Sequence, residues 1–298
     1  MAKQSLAAFG NTSSDFMTSF VVGEGKVGKT TFLVASCLGA LPHQKKGLVD
    51  KPENLHLVGF DQAFADGLLR FLKESCKRGP EYLNLSVHPL TEVTAKASSG
   101  SGWDYGVYNA TMAEIRAIQA DVKKGGVHAT IFSSLSGLAG GIKAGLAGSP
   151  DPSKKGSGMD QSKWDGMSHQ LNALRNYAQG DDNQHIFWEG HIMKSSAAKE
   201  EDQKDENGIQ GSAGKSWGFN VDSVLRLRRE QSKYPGTAVD KVFMDTRPTL
   251  DFVSGGRGFN EALAPREYDL VEMAEKLGKK VGGFVGTSEP AKQAEPAK

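Results

Sequence analysis

A glycine-rich stretch near the start of the chain has the residue types and spacing needed to hold phosphate groups. Residues 19–32 read SFVVGEGKVGKTTF, and Gly23–Thr30 within them fits the pattern G-x-x-x-x-G-K-[ST] at every position. Glycines let backbone N–H groups turn toward phosphate oxygens, and a helix that starts after them offers its positive end to the anion. We therefore predict that this loop binds a nucleoside triphosphate.

Two side chains of the loop have the chemistry for the decisive contacts. Lys29 would neutralise the β- and γ-phosphates, and the hydroxyl of Thr30 would ligate Mg²⁺. The predicted cofactors are ATP and Mg²⁺. Glu24 stands where the partition-type subclass of P-loop ATPases has its signature lysine, so that subclass is disfavoured. The predicted nucleotide-binding residues are Gly23, Glu24, Gly25, Lys26, Val27, Gly28, Lys29, Thr30 and Thr31.

Phosphoryl transfer also needs a carboxylate near Mg²⁺, at the end of a neighbouring strand. The natural place is the end of HATIFSS (128–134), but Ser133 and Ser134 stand there. A serine hydroxyl can hydrogen-bond a metal-bound water but brings no charge, so Ser133 is predicted to be an indirect and weak metal residue. Asp61, just after the strand candidate LHLVGF, is the best remaining acid, with a helix N-cap as its alternative role.

Glu189 and His191 alternate along FWEGHIM, so both face either the nucleotide or a neighbouring layer of the fold. A polar side chain at such a strand tip can sense the γ-phosphate and pass the signal to the segment behind it. Because a long polar segment starts just after His191, we predict that His191 is this sensor. His128, His169 and His185 are interpreted as ordinary surface or strand-edge histidines.

Basic side chains late in the chain are candidates for contacts between subunits. Arg247 and Arg257 lie beside predicted turns. In ring or filament ATPases, residues of this kind reach the phosphates of a neighbouring subunit and stabilise developing negative charge. We predict this catalytic role for both arginines, with a solvated β-sheet face as the alternative.

Two polar segments are the expected places for DNA contact. Residues 139–163 are rich in Gly, Ser, Pro and Lys and are interpreted as a long mobile loop, and residues 194–216 are predicted to be disordered without a ligand. Trp217 is available to stack on a base. Acidic residues dilute the second segment, so charge alone supports DNA binding and its absence equally. The lysines of the two segments are Lys143, Lys154, Lys155, Lys194, Lys199, Lys204 and Lys215.

Composition limits the classes of protein that remain. The 298 residues carry 36 Lys plus Arg against 35 Asp plus Glu, so no global basic field indicates a nucleic-acid or membrane binder. We find no signal peptide and no apolar segment near the roughly 20 residues that span a bilayer. Cys37 lies in an apolar helical run and is interpreted as a buried thiol. A cytoplasmic protein is predicted.

The order of predicted elements indicates an α/β fold. Strand candidates at 19–22, 55–60, 128–134 and 185–193 alternate with helices over the first 190 residues, which is typical of a parallel sheet covered on both faces. Later strands suggest an antiparallel C-terminal extension. We expect an N-terminal arm (1–16), one ATPase domain (17–284) and a flexible tail (285–298).

With these motifs in order, residues 17–278 resemble RecA-like P-loop ATPases of the phage single-strand annealing and recombination type. The resemblance is carried by GEGKVGKTT, TIFSSLSGL, WEGHIMK, GIQGSAGKSWGFNVDSVLRLRRE and DTRPTLDFVSGGRGF. It implies that Ser133 replaces the usual Asp, that Ser134 is retained and that His191 is the γ-phosphate sensor. It also implies a ring or filament of identical subunits with ATP sites between them, loops that hold single-stranded DNA, and a phage-infected or lysogenic bacterial host.

The predicted function is therefore that of an ATP-binding protein of phage DNA recombination. It would bind single-stranded DNA and promote annealing or strand pairing, with hydrolysis weakened by Ser133. The alternative is a nucleotide-gated assembly or scaffold protein, in which ATP holds subunits together without significant turnover.

Overall fold

The computed structural model describes residues 14–23, 28–41, 44–60, 68–69, 80–98, 105–148, 159–180, 183–191, 193–194, 204–205, 221–230, 241–245 and 269–286. The strands are β1 (Thr18–Gly23), β2 (Leu55–Gly59), β3 (Ser86–Pro89), β4 (His128–Ser133), β5 (Gln184–His191), β6 (Met193–Lys194), β7 (Lys204–Asp205), β8 (Ser223–Glu230) and β9 (Lys241–Asp245). The α-helices are α1 (Lys29–Cys37), α2 (Thr91–Ser98), α3 (Gly106–Val122), α4 (Leu135–Ala147), α5 (Gln161–Gln179) and α6 (Leu270–Lys276), with short 3-10 turns at Pro52–Asn54 and Pro80–Leu83.

Seven of these strands form one sheet in the order β3-β2-β4-β5-β1-β8-β9. Every neighbouring pair is parallel except β8 and β9, which are antiparallel. The predicted α/β architecture, a mainly parallel sheet between helices, is confirmed. The predicted antiparallel extension is corrected at β8, which pairs parallel with β1. Residues 192–222 connect β5 to β8. A connection of this length allows β8 to run parallel to β5 and β1, because parallel strands need a long crossover connection.

Alternating side chains of the central strands build a hydrophobic core on each face of the sheet. Val21 and Phe187 contribute to the core beneath α1 and α6. Phe20 and Trp188, their neighbours along the chain, contribute to the core beneath α3, α4 and α5. Cys37 is fully buried at the end of α1, as predicted, and burial raises the pKa of its thiol. No helix in the ranges given above is long and apolar enough to cross a membrane.

Helix α4 occupies part of the segment that was predicted to be a mobile loop at 139–163. That prediction is wrong for 139–147 and for 161–163, where α5 begins. Ser134 caps α4 by accepting a hydrogen bond from the Gly137 N–H at 3.3 Å. A β-carbon on Gly141 would lie 3.1 Å from Cγ2 of Thr94 and 3.2 Å from Cγ2 of Val107. Gly141, one of the glycines that suggested a loop, therefore lets α4 approach α2 and α3 closely.

Three histidines form a hydrogen-bonded row across the first strands of the sheet. His128 Nε2 donates to the Gly125 carbonyl at 3.1 Å, so its Nδ1 accepts from His56 Nε2 at 3.2 Å. His56 Nδ1 lies 3.3 Å from His88 Nε2, and His88 Nδ1 donates to Glu114 Oε2 on α3 at 2.9 Å. Burial first, and then the neighbouring His88 and His128, lower the pKa of His56 to about 4.

His185 is a core residue that joins three parts of the chain. Its Nδ1 accepts the Met17 N–H at 3.0 Å just before β1, and its Nε2 donates to the Lys280 carbonyl at 2.9 Å. Burial lowers the pKa of His185 to about 4. The interpretation of His128 and His185 as surface or strand-edge histidines is therefore wrong, because their relative exposures are 3% and 0%.

Candidate nucleotide-binding site

The loop predicted to hold phosphate lies between β1 and α1, as the motif requires. β1 ends at Gly23, and Gly28 stands at the N-cap of α1 with φ +91°. This left-handed conformation is one that glycine adopts without the steric cost of a β-carbon. No side chain caps the N-terminus of α1 and none of the residues in its first turn is acidic, so the helix itself brings no negative charge to its positive end.

Lys29 starts α1 and places its ammonium group at the ends of two neighbouring strands. Nζ donates to the Gly23 carbonyl at the end of β1, at 3.1 Å, and to His191 Nδ1 at the end of β5, at 3.2 Å. Only 3% of Lys29 is exposed, and this burial lowers its pKa. The negative charge of Glu189 opposes that shift and favours the charged ammonium form.

Thr30 is the centre of a second group of contacts. Its Oγ1 donates to Glu189 Oε2 at 2.6 Å. The Ser133 hydroxyl, at the end of β4, lies 3.1 Å from the same Oγ1. Because the single Thr30 proton goes to the carboxylate, Ser133 is the donor of the second hydrogen bond. One carboxylate and two hydroxyls thus meet beside the first turn of α1.

The pairing of β5 with β1 explains how Glu189 reaches this position. Glu189 is the register partner of Val21 and His191 is the partner of Gly23. Both side chains lie on the α1 side of the sheet, whereas Trp188, the residue before Glu189, stacks on Phe132 on the opposite face, with ring centroids 4.0 Å apart. The choice left open by the sequence, between the nucleotide side and a neighbouring layer, is thereby settled by the strand pairing.

Glu189 is the residue that the sequence-based site prediction did not include. The usual position of the acid, at the end of β4, is Ser133, and Asp61 is the acid predicted instead. A signal was present nonetheless, because Glu189 is a single acid inside the apolar strand HIFWEGHIM, and it is only 4% exposed. A buried carboxylate is costly without a partner, so its placement in a core strand indicates a specific role.

Several predicted site residues lie outside the described part of the chain. Within the described part, Gly23, Gly28, Lys29, Thr30, Ser133 and His191 come together, and Thr31 lies in the first turn of α1. Ser134 is occupied as the N-cap of α4. The residues outside the described ranges are Glu24, Gly25, Lys26, Val27, Asp61, Arg247 and Arg257.

The segments predicted to contact DNA are described only in part. Lys143 lies on α4, not in a loop, and its Nζ is 4.9 Å from the centroid of the Trp164 ring on α5. Lys194 and Lys204 lie opposite each other in the β6–β7 pair. The other lysines named for these segments, and Trp217, lie outside the described ranges.

The oxygen atoms around Thr30 suit a hard divalent cation. Mg²⁺ prefers oxygen ligands and is usually held by one or two protein groups together with substrate phosphates and water. Thr30, Ser133 and Glu189 supply hydroxyl and carboxylate oxygens, and no nitrogen or sulfur ligand is needed. Within the described ranges, no group of three or more His, Cys, Asp or Glu side chains could hold a metal by itself. The residues therefore fit a cation that binds together with a nucleotide.

The comparisons with known proteins do not assign a function to this chain. No protein-family profile and no curated protein matches the sequence. A prototypical ATPase from the type III secretion system of pathogenic bacteria is 13% identical, with a TM-score of 0.44 over 83% of this chain and 60% of that chain. The flagellar accessory protein FlaH from Methanocaldococcus jannaschii is 12% identical, with a TM-score of 0.41 over 77% of this chain and 76% of that chain. The chain thus spans 60% of the length of the secretion ATPase.

Proposed function

We propose that the chain binds ATP together with Mg²⁺ and hydrolyses it weakly. The observation that carries this proposal is the meeting of Lys29 and Thr30, at the start of α1, with polar side chains from two neighbouring strands. Glu189 and His191 come from β5, and Ser133 comes from β4. Lys29 thus offers an ammonium group to phosphates, and the next residue, Thr30, lies among oxygen ligands for a cation. A metal–triphosphate requires this arrangement.

In this proposal each residue has a distinct task. The first N–H groups of α1 and the Lys29 ammonium bind the phosphates, and the negative charge of Glu189 opposes the effect of burial on the pKa of that ammonium. When bound, Mg²⁺ supplies charge neutralisation of the β- and γ-phosphates. The Thr30 hydroxyl would ligate the cation.

His191 is proposed to report the state of the nucleotide. Its Nδ1 accepts a hydrogen bond from Lys29, and it is the last residue of β5. Movement of the Lys29 ammonium toward a γ-phosphate would change this hydrogen bond. The short strand β6 and the predicted DNA-contact segment (194–216) follow directly in the chain, so His191 stands between the phosphate site and that segment.

The resemblance of the sequence motifs to phage annealing and recombination ATPases supports the finer part of the proposal. We assign the chain to phage or prophage DNA recombination, where it binds single-stranded DNA and promotes annealing or strand pairing. The functional unit would be a cytoplasmic ring or filament of identical subunits built from residues 17–284, with 1–16 as an arm and 285–298 as a tail. Arg247 and Arg257 would reach the ATP of a neighbouring subunit, and Asp61 would add a second acid.

The neutral end of β4 favours one alternative. If the charge lost at Ser133 is not restored, ATP would be held without significant turnover, and the chain would be a nucleotide-gated assembly or scaffold protein. ATP-dependent assembly without affinity for DNA would support this alternative.

Turnover of ATP with Mg²⁺, measured with and without single-stranded DNA, tests the proposed function. We expect slow turnover that DNA accelerates and that Lys29→Ala abolishes, because no other described side chain can replace the ammonium at the start of α1. Tight ATP binding with no turnover under either condition would exclude the ATPase and support the assembly protein.

Binding to a labelled single strand over a range of salt concentrations tests the DNA part separately. Phosphate contacts release counterions, so the affinity should fall steeply as salt rises. An absence of binding at low salt, both with ATP and without it, would remove DNA from the proposal and leave nucleotide binding in place.

A further inference from the structure

We infer that Glu189 on β5, rather than a residue at the end of β4, is the carboxylate that holds the Mg²⁺ end of the bound nucleotide. This inference rests on the proposed function and adds a metal-positioning residue to it. In P-loop proteins the Thr or Ser after the lysine and one acid share the cation between them. In this chain the acid that contacts Thr30 belongs to the strand next to β1.

The hydrogen bonds around Thr30 are directed in the way a metal-binding hydroxyl needs. Thr30 gives its proton to Glu189 Oε2 at 2.6 Å and accepts one from Ser133 at 3.1 Å. A hydroxyl oxygen has two lone pairs, so the second lone pair of Thr30 remains for a cation. Proton donation to a carboxylate also makes that oxygen a better ligand, as outer-shell acids do at other metal sites.

Strand order explains why the acid is on β5 and why it is a glutamate. β5 lies between β4 and β1, so its side chains on the α1 side lie beside the strand that ends at Gly23. Glu189 pairs with Val21, two residues before the end of β1 at Gly23. Two residues of strand are about 7 Å long. A long side chain is needed to reach Thr30 from there, and glutamate is longer than aspartate by one methylene group.

The negative charge of the buried Glu189 side chain also indicates that a cation binds here. Glu189 is 4% exposed and accepts a hydrogen bond from Thr30, the residue after Lys29. A triphosphate would bring several negative charges to the Lys29 ammonium group. Glu189 would then face these charges from inside the protein, and a divalent cation between them removes the repulsion. Ser133 stands on the other side of Thr30 and has no charge with which to do this.

The test measures how strongly the metal tightens nucleotide binding, which does not depend on turnover. A fluorescent ATP analogue is titrated into wild type, Glu189→Gln, Ser133→Asp and the double variant, once in EDTA and once in Mg²⁺. We expect the ratio of the affinity in Mg²⁺ to the affinity in EDTA to be about 10–100-fold smaller for Glu189→Gln than for wild type, whatever the affinity of the variant in EDTA. Adding Ser133→Asp to Glu189→Gln should restore most of that ratio, because the acid then stands at the end of β4.

Two results would overturn the inference. In the first, Glu189→Gln keeps the full increase in nucleotide affinity that Mg²⁺ gives to wild type. In the second, Glu189→Gln loses the same factor of affinity in EDTA and in Mg²⁺. If Glu189→Gln does not fold, Glu189→Asp replaces it, since it keeps the charge and shortens the reach; an unchanged Mg²⁺ gain there would also overturn the inference. Failure of the proposed function looks different, because wild type would then bind no nucleotide in either buffer.

Discussion

Gly28 and Gly125 have nearly the same positive φ angle at two different places, so a pair of alanine variants can separate the backbone cost from phosphate binding. Their φ angles are +91° and +96°, and a β-carbon at either position would meet no atom within 4 Å. Alanine at each position should therefore lower the free energy of unfolding by about 1–2 kcal/mol, through the backbone alone. Only Gly28→Ala should also weaken ATP binding, because Gly28 orients the first N–H groups of α1.

Urea unfolding and ATP titration of the two variants check this prediction. Gly125 lies in the turn after α3, outside the phosphate site, so Gly125→Ala is the matched control for strain. Equal ATP affinity of the two variants would show that the conformation of Gly28 does not matter for the phosphate.

At the same scale, the sequence identifies the Lys29–Thr30 motif but does not identify the carboxylate that contacts Thr30. Lys29 and Thr30 are recognised from the spacing of their own motif, since the motif residues are neighbours in the chain. Glu189 lies 159 positions from Thr30, and their 2.6 Å contact depends on β5 lying beside β1. That strand order is decided by the packing of the whole sheet and cannot be read from the residues around Glu189 themselves.

At the scale of elements, α4 shows how glycines can serve packing instead of a turn. Gly140 is exposed and a β-carbon there would meet no atom within 4 Å, whereas a β-carbon on Gly141 would press on Thr94 and Val107. Gly141→Leu should therefore separate α4 from α2 and α3 and lower the free energy of unfolding by about 1–3 kcal/mol. Gly140→Leu, one residue away, should raise it by about 0.5–1 kcal/mol through helix propensity.

Chemical denaturation of the two leucine variants distinguishes packing from propensity. If both are stabilised, the space between α4 and α2 is larger than the structure shows. The same pair explains the wrong loop prediction for 139–147: composition alone does not distinguish a glycine that bends the chain from one that lets two helices touch.

At the scale of the whole molecule, two buried neutral histidines make stability depend on pH. The pKa values of His56 and His185 are lowered to about 4, whereas an exposed histidine in the unfolded chain has a pKa near 6.5. Between these values the unfolded chain binds more protons than the folded one. Stability is thus fully present above about pH 6.5 and falls as the pH falls toward 4, by up to about 1.4 kcal/mol per pH unit for each histidine.

Urea unfolding at pH 7, 6, 5 and 4.5 measures this slope. Carboxylates also titrate in this range, so the useful quantity is the difference between variants. His185→Gln should flatten the slope, because a glutamine amide can accept from Met17 and donate to Lys280 without a titrating group. His169→Gln is the control, since His169 is exposed on α5. Equal slopes for the two variants would contradict a role for His185.

The strand β3 has a consequence for how copies of this chain can meet. Among the described strands β3 pairs with β2 alone, and it is only four residues long. It ends in Pro89, which has no N–H group to offer to an incoming strand, although Val87 is 48% exposed. A border this short and poor in donors is a weak template for continuing a sheet from one molecule into the next. Subunits that meet on this side would join through their side chains, and neither sheet would continue from one chain into the next.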